Sequence, residues 1–125
     1  MSAGITAESM KERTKQFALH AIRLCRTLPK SSESSIITRQ LMRSATSVGA
    51  NYRAVCRARS TADFVSKLGV VLEEADESLF WIELLVGTGL ISNDKIRAIR
   101  TEANELVAIF VASLRTAKHS TKSEI

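Results

Sequence analysis

Arg39, Arg43, Arg53 and Arg57 are spaced so that, at about 100° per residue of a helix, their guanidinium groups fall within an arc of about 80°. Guanidinium forks match phosphate geometry and stay charged, so such a strip is an anion-binding track, with nucleic-acid phosphates as its natural target. The alternative is an ion-pair seam, because Glu73, Glu74, Asp76 and Glu77 follow on the next segment and could meet the arginines within the subunit or across an interface. The separation of charge is sharp. Five arginines and no acid lie between Glu33 and Asp63, six acids and no base lie between Lys67 and Lys95, and the whole chain carries a formal net charge of +5. Arg59 falls off the strip, placed to cap terminal carbonyls or to join a neighbour's acids. Asn51, an amide in mid-helix beside Arg53, either bridges helices or contacts a phosphate or base.

The carboxylates invite a second chemistry. Glu73, Glu74 and Glu77 with Glu102 and Glu105 loosely resemble the clustered acids with which all-α nucleoside triphosphate pyrophosphohydrolases hold magnesium. Helical phase turns Glu73, Glu77, Glu102 and Glu105 away from the apolar stripes, so they would have to converge across a subunit interface. Neither His20 nor His119 has a glutamate three residues before it, which removes the Glu-x-x-His pattern of di-iron bundles. Cys25 and Cys56 lack CxxC spacing and a nearby base, and each reads as a small buried hydrophobe in a reducing compartment. No glycine-rich phosphate loop is present, and Gly49, with Ala50 beside it, reads as a close-packing position. The expectation is a chain without catalytic residues, metal or cofactor, and not an enzyme.

The elements that position these residues follow from composition and period. A chain of 125 residues is one domain by length, and a single proline with five glycines argues for helix over a turn-rich β fold. No run reaches the roughly 18 apolar residues of a membrane span, and Met1 to Lys15 has no signal-peptide core, so the expected location is the cytoplasm. Thr6 or Ser9 caps a first helix over about 8–28 that Pro29 stops, and a second runs over about 35–58. The Ser60 to Asp63 capping box opens a third over 61–86, ended by the glycines at 87 and 89, and Ser92 opens a fourth over 93–116. The tail 117–125 is expected to be disordered. Four amphipathic helices on short connections pack as an all-α, up-down-up-down antiparallel bundle forming one domain over 1–125.

The third helix has more apolar surface than a bundle needs. Leu79 to Val86 holds one polar residue in two turns, and Phe80, Trp81 and Leu84 fall off the inward stripe. Covered by a second copy, these side chains would anchor a self-interface in which Glu73, Glu77 and Arg59 set the register.

The run from Gln40 to Arg53 (QLMRSATSVGANYR), then Arg57-Ala58-Arg59-Ser60 and Asp63-Phe64, and the run from Leu72 to Leu85 (LEEADESLFWIELL) resemble the bacterial four-helix bundle family associated with 23S ribosomal RNA intervening sequences. The likeness is close over the second and third helices and general over the first and fourth. It implies a cytosolic bundle assembling into a ring-shaped homo-oligomer, typically a homopentamer, with no established enzymatic activity. A related branch, the accessory variability determinant of diversity-generating retroelements, is a basic pentameric barrel associated with reverse transcriptase and nucleic acid, so the resemblance implies nucleic-acid binding as well. The chain departs from the family pattern at Ala54, where a glutamate often stands, and so loses an acid from the arginine-rich helix. The combined expectation is a non-enzymatic binding or scaffold protein that takes RNA or DNA through Arg39, Arg43, Asn51, Arg53 and Arg57. The competing class is a protein-interaction module whose basic surface meets an acidic partner.

Overall fold

The computed structural model describes residues 5–124, with side chains described through residue 119. The Thr6 hydroxyl accepts from the Ser9 N–H at 3.1 Å and the Ser9 hydroxyl accepts from the Thr6 N–H at 2.8 Å, a reciprocal capping box that opens α1 (Ala7–Arg26). α1 stops two residues short of the expected end, because the residue before Pro29 is pushed out of helical geometry and Thr27 becomes the C-cap. Ser31 caps α2 (Ser32–Val55), so this helix starts three residues early and also ends early. Ser60 caps α3 (Thr61–Thr88) by accepting from the Asp63 N–H at 3.0 Å, but the Asp63 carboxylate accepts from the Arg59 N–H instead of completing the box at Ser60. Gly89 ends α3 at φ 72°, a left-handed backbone that glycine adopts without cost. α4 (Asn93–Glu124) runs past the expected end at 116, since neither glycine nor proline interrupts it; Ile125 lies outside the described residues.

Each helix packs against the next in sequence, and α4 returns to α1 with a looser approach than the other three pairs. One end of the bundle collects Met10 of α1, Tyr52 of α2, Leu68 of α3 and Phe110 of α4, which come from the start, end, start and later part of their helices, so successive helices alternate in direction. Among the described residues there is no strand. The stripes meet in one core around Phe17, Leu41, Leu68, Ile82, Ile99 and Phe110, all fully or almost fully buried. Burial of this kind is worth about 1.5–3 kcal/mol for each large apolar side chain.

Two local features set the positions of α2 and α3. A Cβ at Gly49 would lie 3.3 Å from the Thr14 carbonyl oxygen, so the absence of a side chain lets α2 approach α1 closely. Ala50, expected to share that role, is exposed. Across α2 and α3 the buried Ser78 hydroxyl donates to Ser44 at 2.9 Å, fixing their register with a satisfied polar pair.

Candidate nucleic-acid interface and self-association face

The four arginines of the strip are exposed, and the structure divides them. Arg43 leans toward α3: its Nη1 lies 3.2 Å from Glu74 Oε2, its Nη2 pairs with Glu77, and its Nε donates to Gln40 at 3.1 Å. Glu77 also accepts from the Trp81 indole N–H at 3.1 Å. Arg43 and Glu77, one expected on a nucleic-acid track and the other at an oligomer interface, are thus joined within one subunit. Arg39, Arg53 and Arg57 make no ion pair or side-chain hydrogen bond among the described residues. Arg57 lies beyond the end of α2, in a turn held by its own N–H on the Ala54 carbonyl at 3.1 Å and the Ala58 N–H on Val55 at 3.0 Å.

Arg53 and Arg57 line one cleft with Lys11 and an adjoining cleft with Lys15, whose floor is Ala18, Gly49, Ala50 and Ala54. A third cleft shares Ala54 and Arg57 and continues to Arg59, Asp63 and Lys67 at the start of α3. A basic surface therefore crosses three helices. Two carboxylates interrupt it: Glu8 pairs with Lys11 at 3.0 Å and Asp63 with Lys67 at 2.8 Å. The Lys67 hydrogen bond, helped by the Arg59 N–H, holds the Asp63 carboxyl below its ordinary range. At Ala54 a glutamate would stand in the floor shared by two of these clefts, so alanine there keeps the surface basic.

No motif in the sequence marks Lys11 and Lys15 as part of this surface. Their spacing of four places both on one flank of the α1 stripe, but only the close approach of α1 to α2 brings that flank beside Arg53. Asn51 goes the other way: it is half-buried, and its Nδ2 donates to the Ser47 carbonyl at 2.9 Å, a bond within its own helix that neither bridges helices nor enters the clefts.

Of the five carboxylates with a possible metal chemistry, four separate onto two seams and Glu73 stays exposed. Glu74 and Glu77 face Arg43 between α2 and α3, whereas Glu102 grips Arg13 between α1 and α4 through two bonds of 2.7 Å, joined by Glu105 at 3.0 Å. The Glu102 bond raises the Arg13 guanidinium further above its already high range. Among the described residues no group of three or more His, Cys, Asp or Glu is arranged to hold a metal ion.

On the outer face of α3, Phe80 is 51% exposed and meets Trp81 edge-on with ring centroids 5.0 Å apart. Trp81 and Leu84 are half-buried against the core, so Phe80 alone of the three projects fully. Glu73, Asp76 and Glu83 are exposed around it. Arg59 precedes α3 and Phe80 lies near its other end, about 30 Å away at 1.5 Å per residue, so a single subunit does not bring them together.

The cysteines part company. Cys25 is buried, and burial pushes its thiol up to about 11. Cys56, expected to be buried, is exposed, because α2 ends one residue before it and the turn swings it into an end cleft with Tyr52, Arg59 and Phe64.

No helix among the described residues is long and apolar enough to cross a membrane. No curated protein matches the chain. A solved structure of a protein of unknown function from the S23 ribosomal protein family of Bacteroides thetaiotaomicron is similar, with a TM-score of 0.76 and 32% identity, over 83% of this chain and 96% of that one. The family model described as 23S rRNA-intervening sequence protein matches residues 8–112, nearly the whole bundle. With its four helices, its paired arginine and acid segments and this match, the chain belongs to the 23S rRNA-intervening sequence protein family.

Proposed function

We propose that this protein is a non-enzymatic, self-assembling scaffold of the cytoplasm that binds nucleic acid through the basic surface joining α1, α2 and the start of α3. The observation that carries this reading is the pair Arg53 and Arg57, exposed and, among the described residues, without a carboxylate partner, beside Lys11 and Lys15 over a floor of small side chains. Unpaired guanidinium groups on an open surface are free to exchange counterions for phosphates, which is the main source of nucleic-acid affinity. Arg39 extends the same face along α2, while Arg43 serves the fold.

Self-assembly rests on the outer face of α3, where an exposed Phe80 stands among acids. A basic face on one side and an acidic, aromatic face on the other favour head-to-tail contacts, which close into a ring when the rotation per subunit allows. The ring of five is the form implied by family resemblance. The competing reading, a protein-interaction module, draws on the same basic surface, met by an acidic protein partner. Multi-angle light scattering with and without a mixed short RNA and DNA pool, at low and moderate salt, separates them. A discrete oligomer that gains nucleic-acid mass at low salt and releases it as salt rises is the expected result. An oligomer that gains no mass at either salt overturns nucleic-acid binding and leaves the interaction module.

A further inference from the structure

We infer that the basic surface recognises the paired backbones of a double helix, not a single strand, and does so without reading bases; this rests on the nucleic-acid reading above. The first argument is width. The surface runs from Lys15 on α1, across Arg53 and Arg57, to Arg59 and Lys67 at the start of α3. α1 and α3 lie diagonally across the bundle, and with packed neighbours about 8–10 Å apart that diagonal is about 11–14 Å, which matches the roughly 12 Å width of a major groove. Cations at the two edges reach phosphates on both sides of one groove. A single strand needs only one track.

The second argument is the location of the aromatic side chains. Sequence-tolerant single-strand binding relies on bases stacking on exposed rings within a basic groove. All six aromatic residues of this chain are described, and none lies in the three basic clefts. Phe17 and Phe110 are buried, Tyr52, stacked on Phe110, and Phe64 are part-buried in the end cleft that meets the basic surface at Arg59 alone, and Phe80 with Trp81 sits on the acidic face of α3, where a polyanion is repelled.

The third argument is the floor. Ala18, Gly49, Ala50 and Ala54 offer no hydrogen-bonding side chain to a base edge, and the Thr46 hydroxyl of the same cleft donates to the Met42 carbonyl at 2.7 Å, so the main contacts available are charge on phosphate. DNA, RNA and hybrid duplexes share that chemistry.

The test uses the full chain and fluorescence anisotropy with a duplex of about 20 base pairs as DNA, RNA and hybrid, alongside each component single strand. Six cations set against two carboxylates leave about four phosphates neutralised, so duplex affinity is expected to fall about a hundredfold between 50 and 200 mM salt. Duplex binding is expected to exceed single-strand binding at least tenfold, with little change on scrambling the base sequence. Lys15→Gln and Lys67→Gln, at opposite edges, are each expected to weaken duplex binding severalfold and to leave circular dichroism unchanged, with melting unchanged in Lys15→Gln and lowered by about 1–3 °C in Lys67→Gln, which loses the Asp63 pair. Single strands bound as tightly as duplexes overturn this inference while leaving nucleic-acid binding intact. Absence of binding to every probe overturns the nucleic-acid reading itself.

Discussion

Arg43 is the residue on which the division of labour along α2 turns, and a double-mutant cycle with Glu77 measures it. The Arg43 side chain is 47% exposed, and those of Glu74 and Glu77 are 18% and 33% exposed, so the pairs lie at a surface where water and salt screen them. Such pairs contribute about 0.2–1 kcal/mol each, which puts Arg43→Ala at about 1 kcal/mol of lost stability with both contacts removed. Glu77→Ala also strips the Trp81 indole of its acceptor, but that loss occurs in the single and the double mutant alike and cancels from the coupling. The expected coupling is about 0.5 kcal/mol, read from urea unfolding with the slope held constant. Melting should fall by about 3–5 °C in Arg43→Ala, between the values typical of smaller and larger domains. Parallel anisotropy titrations should show Arg43→Ala binding nucleic acid within twofold of the parent, while Arg57→Ala loses severalfold. A coupling of zero, together with an Arg43→Ala binding loss equal to that of Arg57→Ala, would refute the seam and return Arg43 to the phosphate surface.

Gly49→Val places branched carbons against the Thr14 carbonyl oxygen, a backbone atom that cannot swing aside; a loss of about 1–3 kcal/mol in chemical unfolding is expected, and an unchanged midpoint would remove the close approach of α1 and α2. With a chromogenic disulfide reagent, Cys56 should react rapidly in the native protein and Cys25 only on unfolding; two rapid equivalents would contradict the burial of Cys25. Because burial raises the folded Cys25 thiol to about 11 from 9.0, its contribution to stability is complete below pH 9 and is lost as pH rises toward 11; the urea midpoint should fall across that window, and less so in Cys25→Ala. Phe80→Asp should shift sedimentation toward smaller species without lowering the melting temperature of the subunit, and an unchanged profile would move the self-interface elsewhere.

Much of this architecture is legible in the chain. Ser60, Gly89 and Ser92 mark helix ends through chemistry that acts within a few residues, and the stripes through Leu41, Ile82 and Ile99 report the inward faces. The opposed charge segments likewise foretell a seam. Which arginine enters it depends on the direction in which each helix flank points after packing, so Arg43 and Arg53, alike in type and exposure, separate only in three dimensions. Lys11 and Lys15 were missed for the same reason, since their neighbour across the cleft lies about forty residues away in sequence. The end of α2 falls three residues before the place its stripe predicts, which moves Cys56 and Arg57 from helix to turn.

The loose approach of α1 to α4 has a consequence for how the chain reaches its native state. Three of the four helix interfaces join neighbours in sequence, so each closes a short loop at little entropic cost, and the chain can fold as successive hairpins. The remaining interface joins the most distant helices and is held at its surface by the Arg13 clamp on Glu102 and Glu105. This seam is therefore expected to be the last to close and the first to open. Amide exchange in α1 should report that opening at a lower free energy than the pairing of α2 with α3 around Ser44 and Ser78.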